Sequence, residues 1–155
     1  MAKRSGMHTT LESLRERQEA MSSTAEMRIG DLDPSLAGRP QWGSGVSNRA
    51  HALVDRRLGE LDASDLAFCL RQQIAVAAVM DRVIEILATQ ALLEAEFYDG
   101  DLLLAAIHAE RSGWASPAQR SELRDICASA SAAIATLVSE VSPEIEDMIR
   151  RHDGV

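Results

Sequence analysis

Aromatic side chains are scarce in this chain: two Trp, two Phe and one Tyr among 155 residues. Sheets fill their pleated faces with aromatic and β-branched residues, and no stretch alternates apolar with polar, so a β-sandwich or barrel is excluded. Cysteine is nearly as rare. Cys69 and Cys127 cannot build a disulfide framework, which points to a reducing compartment. No run approaches the roughly 18 consecutive apolar residues that a membrane-spanning helix needs. No apolar segment follows Lys3 and Arg4, so the sequence predicts a cytoplasmic protein without a secretory signal. Basic charge is also short, with 16 Lys and Arg against 24 Asp and Glu for a net charge of −8. Phosphate backbones attract basic surfaces, so direct binding to nucleic acid is disfavoured and a basic partner is favoured.

What remains is rich in Ala and Leu, with 46% of residues hydrophobic. That is the composition of packed helices. The pattern predicts an all-α fold: one compact bundle of six or seven helices behind a long N-terminal arm. Thr9 and Glu12 form a capping-box spacing for a first helix, from residue 9 or 10 to 20. Between 22 and 47 the periodicity fails, and Gly30, Pro34, Gly38, Pro40, Gly43 and Gly45 punctuate a loop that holds Trp42. The division is therefore residues 1–46, a short helix and arm, and residues 47–155, the helical domain.

Helical signals resume at Ser47, an expected cap for Ala50, Leu53, Val54 and Leu58 at 3-4 spacing. Asp62 caps the next helix, which carries Leu66, Phe68, Cys69 and Leu70. Residues 74–90 repeat Val79, Val83, Ile84 and Leu87 with few charges, the mark of a central helix. Whether Gln72 and Gln73 break it from its predecessor is open. Asp101 opens a short helix that is apolar nearly all round and is expected to be buried, and Gly113 ends it. Ser116-Pro117 starts a helix to about 138, with Leu123, Ile126, Cys127, Ala130, Ile134 and Leu137 as its stripe. Ser142-Pro143 signals a last one over 144–151.

Motifs for chemistry are missing. The four histidines are dispersed and never spaced as His-x-x-x-His, and no Cys-x-x-Cys, P-loop, Gly-x-Gly-x-x-Gly or Gly-x-Ser-x-Gly occurs. No metal, cofactor or enzymatic activity is expected. Charge does gather in one place: residues 58–101 carry nine acidic and two basic groups. Within them Glu94, Glu96, Asp99 and Asp101 accompany Phe97 and Tyr98, with no basic residue between Arg82 and Arg111. Three readings stay open. The run is a solvated acidic loop in which Asp99 or Asp101 caps the next helix, a metal site without the ligand pattern of an EF-hand, or an interaction surface. In the last, Tyr98 supplies contact area and the carboxylates steer a basic protein.

The stretch from Leu66 to Gln73, then Glu85-Ile86-Leu87, then Leu93 to Ala106 and Trp114, resembles the immunity proteins of bacterial contact-dependent growth inhibition (CDI) systems. Its most specific part is the Leu-x-x-Glu-aromatic-Tyr-x-Gly-Asp-Leu-Leu turn from Leu93 to Leu103, and the likeness covers roughly residues 50–116. Where the family pattern has Gly after the Gln-rich stretch, this chain has Ala75 or Ala77. Where the pattern has Pro between Tyr and Gly, it has Asp99. The resemblance implies an all-helical cytoplasmic protein that binds and neutralises the toxin domain of a delivered effector. A nuclease toxin would present a basic cleft, and an acidic partner would inhibit it by occlusion. The expected toxin-binding residues are Glu94, Glu96, Tyr98, Asp99 and Asp101, with Trp42 as a second candidate. The alternative is a self-associating helical adaptor or regulatory domain.

Overall fold

The computed structural model describes residues 5–36, 38 and 43–139, with 5–10 and 137–139 as backbone only. Trp42 and the expected helix at 144–151 lie outside the described residues. Among the described residues seven α-helices follow in order: α1 Ser5–Ala25, α2 Ile29–Leu32, α3 Gly45–Leu53, α4 Ala63–Gln72, α5 Val76–Thr89, α6 Asp101–Arg111 and α7 Pro117–Ser139. Short 3-10 turns cover Pro34–Leu36 and Leu58–Glu60. The described residues contain no strand beyond an isolated bridge between Arg28 and Arg57.

Helix α5 is the centre of the bundle and touches α1, α4, α6 and α7. Its Val79, Met80 and Val83 are wholly buried. One continuous core runs from Ile29 to Ala130. The 22–47 segment is more structured than its punctuation suggests. Helix α1 extends into it, α2 follows, and Ile29 and Leu36 are fully buried. Gly30 permits this docking, because a Cβ there would stand 2.8 Å from Val54 Cγ1.

Local chemistry sets the helix ends. Ser44, not Ser47, caps α3, its hydroxyl accepting from the Ser47 N–H at 3.1 Å. Asp62 caps α4 as expected, accepting from the Asp65 N–H at 2.8 Å. Ser116 and Gln119 form a reciprocal capping box at the start of α7. The buried Gln119 amide then donates to Asp81 Oδ1 at 2.7 Å and so ties α7 to α5.

The Gln pair does mark a break. Gln73 takes φ +57° at the end of α4, and the Ile74 N–H reaches back to the Cys69 carbonyl at 2.9 Å. This is a Schellman closure with glutamine in the place usually held by glycine. Ala75, at φ +47°, then opens α5, and its N–H donates to Asp33 Oδ2 at 3.2 Å. Two expectations of burial are corrected. Leu104 is 41% exposed on α6, and Ile134 is 49% exposed on α7, where residues 131–136 are all exposed. Cys69 is buried, which pushes its thiol up to about 12, whereas Cys127 is half-buried.

Candidate functional site

The acidic run becomes a tight turn between α5 and α6, and its four carboxylates do different things. Asp101 is only 3% exposed. It sits in the first turn of α6 but does not cap that helix; its carboxylate turns back into the preceding loop. Oδ1 accepts from the Ala95 N–H at 2.6 Å, and Oδ2 accepts from those of Glu96 and Phe97 at 2.9 Å each. Burial pushes its pKa up, but hydrogen bonds from Ala95, Phe97 and Glu96 outweigh that, and the net shift is down. Gly100, at φ +85°, makes the reversal possible, and its N–H closes the loop on the Leu92 carbonyl at 3.0 Å. The Gly-Asp pair of the motif is thus a folding device.

Glu96 is also engaged. Arg49 of α3 donates to its Oε1 at 2.7 Å, and Arg71 of α4 donates to Oε2. The Arg49 hydrogen bond, opposed by burial and aided by the charges of Arg49 and Arg71, holds the Glu96 pKa below the usual carboxylate range. Arg49 continues to the Ser64 hydroxyl at 2.7 Å and to Asp65 at 3.5 Å, and Arg56 meets Asp65 at 2.6 Å. The two guanidiniums also stack, Arg49 over Phe68 at 4.5 Å and Arg71 over Phe97 at 5.1 Å. The turn is therefore clamped to α3 and α4 by charges that sequence distance had separated.

Glu94 and Asp99 are exposed. Neither has a hydrogen bond or ion pair among the described residues. Between them Phe97 is 66% exposed and Tyr98 53%. Of the expected binding residues, the turn presents Glu94, Tyr98 and Asp99 to solvent and uses Glu96 and Asp101 to hold itself together.

Beside the turn lies a groove of about 440 Å³, walled by Leu70, Phe97, Tyr98, Leu104, His108 and Trp114 among others. Trp114 reaches it through the end of α6. Gly113 takes φ +86°, and the Trp114 N–H bonds to the Ala109 carbonyl at 3.2 Å, a second Schellman closure. Sequence reasoning missed Arg49, Arg71, Leu104, His108 and Trp114 as members of this site, although Trp114 lies in the family-like stretch. Leu104 carried no signal of its own, since α6 reads as apolar nearly all round. The two arginines carried none, since their role depends on packing between helices.

A turn bearing solvent-facing aromatics, set against a groove of mixed apolar and polar lining, has the features of a surface for another protein. No group of three or more potential metal ligands occurs among the described residues. No described helix is long and apolar enough to cross a membrane. The family profile of the CDI immunity proteins matches residues 31–123, more than half of the chain. The chain belongs to that family. No curated protein and no solved structure gives a significant match.

Proposed function

We propose that this protein, in the cytoplasm, binds the toxin domain of a cognate CDI effector and blocks it by covering its active site, with no chemistry of its own. Family membership is the observation that carries the reading. The 94–101 turn is the contact surface, and a basic toxin, such as a nuclease with a cleft for phosphate, is the partner it suits. A net charge of −8 supports the sign of the partner, since opposite charge speeds capture.

Within the turn, Tyr98 acts as an anchor, while Glu94 and Asp99 steer association. Glu96 and Asp101 contribute by keeping the turn in shape. The test is titration with the toxin domain of the cognate CDI effector, at two salt concentrations. Tyr98→Ala is expected to weaken binding by ~2 kcal/mol. Glu94→Gln and Asp99→Asn are expected to slow association and flatten its salt dependence, with little change in dissociation. Wild-type binding by all three variants at both salts would move the interface off this turn.

A further inference from the structure

Resting on that reading, we propose that the groove beside the turn receives an apolar side chain of the toxin, presented next to a Lys or Arg. Among the described residues nine large apolar side chains are exposed, and Phe97, Tyr98, Leu104 and Trp114, four of the nine, line this one groove. Such clustering marks an interaction site, because scattered single exposures are what an ordinary surface shows.

The walls are already set for a guest. The Asp101 carboxylate holds three N–H groups of the turn, and the Schellman closure at Gly113 positions Trp114. A site held this way loses little conformational freedom on binding.

Charge selects the kind of guest. Arg71, the cation of the groove wall, is committed to Glu96 and to the face of Phe97. Glu94 and Asp99, in the turn that carries Phe97 and Tyr98, are exposed carboxylates to which no described cation is matched. An apolar side chain with a cation beside it meets both needs. A second copy of this chain does not, because a two-fold contact through this turn sets these carboxylates close to their own copies.

Calorimetric titration with the same toxin domain tests the groove through Trp114→Ala and Leu104→Glu. Trp114 is 46% exposed and Leu104 41%, so both variants are expected to keep the wild-type melting temperature. Trp114→Ala should weaken binding about 30-fold with an unchanged salt dependence, and Leu104→Glu should weaken it at least as much. If Leu104→Glu proves unstable, Leu104→Ala takes its place, with a loss of about fivefold expected. Binding within twofold of wild type by the Trp114 and Leu104 variants, alongside weakened Glu94→Gln and Asp99→Asn, overturns the groove and leaves the acidic turn standing. A wild-type protein that does not bind the toxin overturns both. Sedimentation of the free protein as a dimer that Leu104→Glu disperses assigns the groove to a second copy, and so overturns the proposal too.

Discussion

Removing the Asp101 carboxylate would leave the N–H groups of Ala95, Glu96 and Phe97 without their acceptor in a place that water reaches poorly. Hydrogen bonds to a charged group contribute more than neutral ones, so Asp101→Ala is expected to cost about 3 kcal/mol, measured by denaturant unfolding. The pH dependence has a definite sign. Asp101 and Glu96 both have folded-state pKa values below their ordinary ones. Their stabilisation is therefore complete above the unfolded carboxylate range, about pH 4, and is lost as pH falls through the lower folded values. Melting temperatures of wild type should drop below about pH 4, and Asp101→Asn should show a shallower drop. Residue type alone could not sort these carboxylates, because the partners of Glu96 lie 25 and 47 positions away.

Between α4 and α5 the chain reverses through Gln73, Ile74 and Ala75, with Ile74 wholly buried between two left-handed residues. A left-handed conformation costs an L-residue roughly 1–2 kcal/mol, and glycine escapes it. Glycine also brings extra freedom to the unfolded chain, about 0.5–1 kcal/mol in the other direction. Ala75→Gly is accordingly expected to raise stability by up to about 1 kcal/mol, whereas Ala77→Gly, inside α5, should lower it by about 1 kcal/mol. Thermal unfolding of the two variants side by side checks this, and equal losses in both would contradict the conformational argument. Helix starts were legible where a cap precedes a periodic run, as at Asp62 and Ser116. The start of α3 was misplaced by three residues, because Ser44 and Ser47 are both plausible caps and only the backbone decides between them. Residues 131–136 of α7 keep a helical pattern that no described neighbour covers. Periodicity reports an amphipathic helix, not whether something lies against its apolar face.

For the molecule as a whole, α5 is the element on which four other helices rest, and Val83 lies at 0% exposure within it. An unpaired carboxylate there costs several kcal/mol against a total stability of about 5–15 kcal/mol. Val83→Asp is expected to unfold the domain. A circular dichroism melt checks this, and a cooperative transition at the wild-type temperature would show that α5 is not central. The all-helical class, the central helix and the starts of α4, α6 and α7 were determined by the sequence itself, because apolar spacing and capping residues act within a few positions of one another. The run at 94–101 was also visible there, since its composition departs from the rest of the chain. Tertiary structure alone decided which carboxylates face solvent, which hold the turn, and that Leu104 and Trp114 join Phe97 and Tyr98 around one groove. Those outcomes depend on Arg49 and Arg71 arriving from other helices, and no local spacing encodes the packing that brings them together.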